Sequence, residues 1–208
     1  MRYSLALIVF SLSSLSVYAQ KEIPDASVVS NHKQGIEDWR KQKDEDYKDP
    51  EKTMLPAEMM KDFTGLKYYA IDYNYVVKGR LERTVQAQII SINTSTGGQY
   101  DNFIYGTVYF TLHGKEMKLQ LYQSVRSAEL GRTKGALLLP FTDVTSGEET
   151  FGGGRYLVFD IPEGDEMILD FNRAYNPYCV YDPSHSCPIP PAENHLKIKV
   201  EAGEKMYP

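Results

Sequence analysis

Only two cysteines, one tryptophan and four histidines occur among 208 residues. So few thiols exclude a cysteine-dense scaffold that replaces a hydrophobic core with cross-links. No His-Glu-x-x-His or Gly-x-Ser-x-Gly segment is present, which removes the common zinc-peptidase and nucleophile-elbow chemistries. Positive charge is short as well. Twenty-three Lys and Arg against 28 Asp and Glu leave a net charge of −5, too weak a basic field to hold a nucleic acid. Beyond residue 17 no apolar run is long enough to cross a bilayer. What is abundant is tyrosine and glycine, 16 and 15 residues, which favours strands and tight turns over a helical bundle.

Met1-Arg2 gives a short positive start, Tyr3 to Val17 is almost wholly apolar, and Val17-Tyr18-Ala19 supplies the small residues a signal peptidase reads. The pattern predicts a signal peptide over 1–19, a flexible leader over 20–34 and one domain over 35–208. The product is expected in a periplasm or outside the cell, with no transmembrane segment once the signal is removed. Export places Cys179 and Cys187 in an oxidising compartment, where a disulfide across so short a loop contributes about 2–3 kcal/mol. His185 and His195 lie close in sequence and raise zinc as a competitor. The C-x5-H-x-C-x7-H spacing is looser than zinc sites use, so the disulfide is preferred and no metal or cofactor is expected.

Ile36, Trp39 and Tyr47 fall near one side of a helix that Asp49-Pro50 stops, with Glu37, Asp38, Arg40, Lys41 and Lys43 facing elsewhere. Pro56 to Asp62 reads as a further short helix. From Leu66 onward the period changes to two. Tyr73, Tyr75 and Val77 alternate, then Val85 to Ile89, then Val108, Phe110 and Leu112 against Met117, Leu119 and Leu121 across His113-Gly114. Ala136 to Phe141 is a buried-type run, Tyr156–Ile161 and Met167–Phe171 flank a turn at 162–165, and Leu196, Ile198 and Val200 read as a closing strand. Eight or nine short antiparallel strands, with no helices spaced for crossovers, predict an all-β sandwich or partly open barrel behind an N-terminal amphipathic helix.

The densest polar and glycine-rich segment runs from Asp143 to Asn194. Gly152, Gly153 and Gly154 precede Arg155, a pattern in which backbone amides approach a ligand and a guanidinium forks onto an oxyanion. A tight turn and a buried ion pair of Arg155 with Glu149 or Asp170 are the plainer alternatives. Asp170 and Asn172 share one strand face, and Asn194 closes a proline-rich stretch. Should the domain be catalytic, acid–base work falls to Glu149, Asp170 and Glu193, since no histidine lies in the glycine-rich segment.

The segments Phe141-Thr-Asp143, Thr145-Ser-Gly-Glu-Glu149-Thr-Phe-Gly-Gly-Gly-Arg-Tyr-Leu157, Asp170-Phe-Asn-Arg-Ala-Tyr-Asn-Pro-Tyr-Cys179, Cys187-Pro-Ile-Pro-Pro-Ala-Glu-Asn194 and Ala202-Gly-Glu204 carry a likeness. Together with Trp39-Arg40 and Phe63-Thr-Gly-Leu66, they make the chain resemble a bacterial family known only as domain of unknown function 1684. The resemblance implies no activity. Phe151 stands where that family usually has tyrosine, and neither His185 nor His195 belongs to its pattern, which tells against a catalytic tyrosine and against zinc.

Three readings follow. The first is an exported β-domain that binds a small polar or anionic ligand, or a hard cation, through its C-terminal third. The second is a carboxylate-dependent hydrolase of a saccharide or envelope component, and the third a purely structural envelope protein. Convergence of Glu149, Arg155, Asp170, Asn172 and Glu193 in one open hollow would weaken the third reading, and the same side chains pointing apart or buried in mutual pairs would favour it.

Overall fold

A computed structural model describes residues 25–86 and 88–207; the expected signal peptide lies outside them. Helix α1 (Ala26–Lys48) opens where the Asp25 carboxylate accepts the Ser27 N–H at 2.7 Å. It thus begins well inside the segment expected to be a loose leader. Its inward stripe is His32, Ile36, Trp39, Arg40, Lys43 and Tyr47, at three- and four-residue steps. Of these only Ile36 and Tyr47 are buried, and Trp39 is half-buried.

Arg40 and Lys43, expected on the solvent side, lie on this inward stripe. Arg40 Nη1 donates to the Tyr69 carbonyl at 3.0 Å, and Lys43 Nζ reaches the buried Glu204 at 2.5 Å. Their aliphatic stems cover apolar surface while the charged ends find partners. The short helix α2 (Ala57–Met60) follows.

Eight strands form one mostly antiparallel sheet that curls into a half-barrel. They are β1 (Val76–Arg83), β2 (Ile89–Asn93), β3 (Gln99–Leu112), β4 (Lys115–Ser124), β5 (Leu137–Asp143), β6 (Arg155–Phe159), β7 (Glu166–Asp170) and β8 (His195–Leu196). Helix α3 (Val125–Glu129) joins β4 to β5. The main path runs β6-β5-β4-β3-β1-β7, with β2 beside β3 and β8 parallel to β5.

The β3–β4 hairpin matches its sequence signal. His113 and Gly114 both take positive φ, 50° and 74°, as a two-residue turn with the sheet's twist requires. Gly106 marks a bulge in the long β3, where a Cβ would sit 2.6 Å from the Glu82 carbonyl. Alternate residues of these strands fill the concave side, with Val108, Leu121, Leu137, Leu139, Phe141 and Phe171 completely buried. Each contributes about 1.5–3 kcal/mol of apolar burial. A second cluster of Tyr47, Leu55, Phe63, Leu66 and Tyr181 packs the end of α1 against the segment 55–66 and Tyr181.

Several expected elements differ. Tyr73–Tyr75 is a 3-10 turn, because Asp72 caps it by accepting the Asn74 N–H at 2.8 Å. The strand expected from Val85 starts at Ile89, and Val85 is exposed. The closing strand is reduced to His195–Leu196, since the carbonyls of Val200, Ala202 and Glu204 are spent on the Arg155 guanidinium. Most consequential, β6 and β7 do not pair as a hairpin. They are the two edges of the main path, paired to β5 and β1 respectively.

Candidate functional site

Arg155 emerges at the start of β6 with its side chain wholly buried against Asp143, not Glu149 or Asp170. Its Nη2 donates to the Asp143 carboxylate at 2.7 Å and to the Val200 carbonyl at 2.9 Å, while Nη1 donates to the carbonyls of Ala202 and Glu204. Carbonyls at every second residue of an extended strap point the same way, which lets one guanidinium gather three. No open face remains for a substrate anion.

The glycines serve the same corner. Gly154 sits at φ 84°, and a Cβ there would stand 2.5 Å from the Phe141 carbonyl and 2.7 Å from Pro190. A Cβ on Gly153 would strike the Phe151 ring, while Gly152 is exposed on the turn. The turn is held by its own chain.

The two asparagines are backbone substitutes. Asn194 is completely buried, accepts the Gln120 N–H at 2.8 Å and donates to the carbonyls of Gln120 and Pro140 at 2.9 and 2.7 Å. Its amide replaces a rung between β4 and β5 where Pro140 has no N–H to offer. Asn172 likewise clamps Asp72, accepting from its N–H at 3.0 Å and donating to its carbonyl at 2.9 Å.

The three carboxylates stand among separate neighbours. Glu149 pairs with Lys199 at 2.9 Å and accepts from the Tyr69 hydroxyl at 3.2 Å; the Lys199 bond holds its carboxyl below the usual range. Glu193 is exposed beside Lys118 and His195 in a cleft of about 360 Å³. Asp170 lies elsewhere, bonded to His32 Nε2 at 2.8 Å and to both amide groups of Asn172. The expected convergence of Glu149, Arg155, Asp170, Asn172 and Glu193 therefore does not occur. Asp170 and Asn172 bond each other, Glu149 and Arg155 both hold the segment 199–204, and Glu193 stands apart from both groups.

Cys179 and Cys187 are neighbours, with the Cys179 N–H 3.3 Å from Cys187 Sγ, and both are thiols in this structure. Burial, with Cys187 beside it, pushes the Cys179 thiol up to about 11. The histidines go their own ways. His185 pairs with Asp182 at 3.5 Å, and His195 bonds Thr142 at 3.0 Å.

Asp170 does open onto a cavity, about 460 Å³, lined by Leu157, Val158 and Phe159 of β6, Ile168 and Asp170 of β7, Arg173, Tyr175 and Trp39 of α1. It is the seam between the two edges of the curled sheet. One end is closed by a bridge in which Tyr156 and Tyr175 exchange backbone hydrogen bonds at 2.9 and 3.1 Å. The other is closed by the connection 160–165.

The 3-10 turn Phe171–Arg173 splays the chain between bridge and β7, which holds the seam apart. Arg173 stacks 5.5 Å from the centre of the Trp39 ring, is half exposed, and meets Asp170 only at 3.7 Å through Nε. Asp170 is already engaged by His32, so the cation at the cavity is the less satisfied group.

With this geometry in view, comparison with known proteins gives one decisive match. A family model described as a protein of unknown function, DUF1684, covers residues 61–205. The chain belongs to the DUF1684 family. Among solved structures it is similar to the solution NMR structure of the uncharacterized protein from gene locus rrnAC0354 of Haloarcula marismortui. That likeness has 30% identity and a TM-score of 0.66, over 86% of this chain and 96% of that one. No curated protein matches.

In this DUF1684 chain His32, Arg173 and Tyr175 belong to the cavity or brace it, and none of them stands out in the sequence as a site residue. The last two stand inside the Asp170–Cys179 motif, and that was the available signal. His32 carried none, because its meeting with Asp170 joins positions 138 residues apart.

Proposed function

We propose that this chain is an exported, non-catalytic domain that binds a small anionic ligand in the β6–β7 seam. The observation that carries the reading is Arg173. It is a half-exposed guanidinium over an indole, beside a cavity of about 460 Å³, a volume within the range of small-molecule sites. A guanidinium so placed takes a carboxylate or phosphate in forked geometry, and the flanking Ile168, Val158 and Phe159 receive an apolar body. The dispersal of Glu149, Asp170 and Glu193 supports binding over hydrolysis, which needs two carboxylates on one substrate. Export is supported by the charge and apolar pattern of residues 1–19, and the nearness of Cys179 to Cys187 accords with it.

Trp39 is the single tryptophan and lines the cavity, so its emission reports occupancy. Titration with anilinonaphthalene sulfonate and with plain small carboxylates is expected to change that emission saturably. Arg173→Gln is expected to weaken the response about tenfold, the loss of one charge-assisted contact. Emission that no anion alters would remove the reading.

A further inference from the structure

The seam's walls are backbone as much as side chain. Leu157, Val158 and Phe159 are consecutive, and successive side chains of a strand point to opposite faces. All three can line one cavity only where the strand's edge forms the wall.

Register shows which backbone groups face it. Tyr156 lies opposite Pro140, which has no N–H, and spends its own N–H and C=O on Tyr175 across the seam. Alternate residues face the same edge, so the N–H and C=O of Val158 also point into the seam. On the other wall, Leu81 N donates to the Asp165 carbonyl at 2.6 Å. Counting back along the β1–β7 register, Gly79–Met167 and Val77–Leu169 are then the bonded pairs, and Lys78–Ile168 is not. The N–H and C=O of Ile168 therefore turn away from β1, towards Val158. Among the described residues no backbone hydrogen bond joins Val158 or Ile168 to a partner across the seam.

The geometry points to a short peptide, or an acylated amino acid, with a free α-carboxylate as the ligand class. Its amide groups pair with the open rung of Val158 and with Ile168, its carboxylate meets Arg173, and an apolar side chain lies on Trp39. This rests on the seam being the ligand site. An apolar carboxylate without amides would satisfy Arg173 and leave both rungs to water.

The test titrates the full chain with acetyl-alanyl-valine, its C-terminal amide, its backbone N-methylated form and decanoate, following Trp39 emission and hydrogen exchange of the Val158 amide. The free dipeptide acid is expected to saturate the Trp39 signal and protect the Val158 amide. Amidation and N-methylation should each weaken binding about tenfold. Val158→Pro, which removes an N–H that faces away from β5, is expected to lose the dipeptide and keep any response to decanoate. Decanoate binding without the dipeptide, or equal binding of methylated and unmethylated forms, overturns the peptide assignment and leaves the anion site standing. No response to any of the four overturns both.

Discussion

Asp143 and Arg155 meet at 2.7 Å with both side chains fully buried. This pair turns the glycine-rich corner and the strap 200–204 into one unit, since the same guanidinium holds three strap carbonyls. Asp143→Asn or Arg155→Met leaves a buried charge without its partner and is expected to cost about 3–5 kcal/mol in equilibrium urea unfolding. Replacing both with apolar residues should cost less than the sum of the two single changes. Additive losses would show that the two residues act separately.

Asn194 offers a sharper chemical test. Its amide donates to two carbonyls and accepts one N–H, and only an amide can do both. Asn194→Asp keeps the shape but turns an oxygen towards Gln120 O and Pro140 O. It is expected to destabilise by about 2–3 kcal/mol, no less than Asn194→Ala, because buried groups are left unmatched in either case. Thermal unfolding of the two variants side by side decides it.

At the seam, stability and binding should separate. Arg173 is half exposed and its ion pair is loose, so Arg173→Gln is expected to change stability by less than about 1 kcal/mol while weakening anion binding. Glu149→Gln and Glu193→Gln should leave the Trp39 titration unchanged, because neither residue lines that cavity. An effect of either would mean that a second site shares the ligand.

For the cysteines, protein recovered from an oxidising compartment is expected to show no free thiol. In the reduced protein, burial keeps Cys179 protonated, with its pKa near 11. Alkylation should be slow at neutral pH and accelerate as pH approaches that value. The folded state favours the protonated thiol. Its contribution to stability is therefore full below the ordinary 9.0 and lost as pH rises towards about 11.

Buried phenols set an alkaline limit. Desolvation raises Tyr47, Tyr68, Tyr156, Tyr175 and Tyr181 above the ordinary 10.0. Unfolding lets each ionise, so stability is full below pH 10.0 and falls as pH climbs past it. Circular dichroism with tyrosinate absorbance should show cooperative loss of structure coinciding with tyrosine ionisation. Gradual ionisation before unfolding would place these rings in solvent.

The two-residue period, the His113-Gly114 turn and the proline-stopped end of the helix are local signals, and local sterics make them readable in sequence, whereas the helix start at Asp25 fell inside the segment expected to be a loose leader. Trp39 on the apolar side of the helix and Asp170 as a candidate acid are legible in the sequence as well. That Arg155 would choose Asp143, or Lys43 reach Glu204, depends on contacts across 12 and 161 residues, where side-chain type alone leaves many partners eligible.

The chain's order of apolar and polar residues therefore determined a curled antiparallel sheet with a helix laid against it. Tertiary packing alone decided that two consecutive strands would stand at opposite edges of that sheet and leave a cavity between them. The physical reason is competition for backbone partners. A hairpin between β6 and β7 would have been the nearest pairing, but β5 and β1 take their inner edges, and the turn at 171–173 holds the outer ones apart.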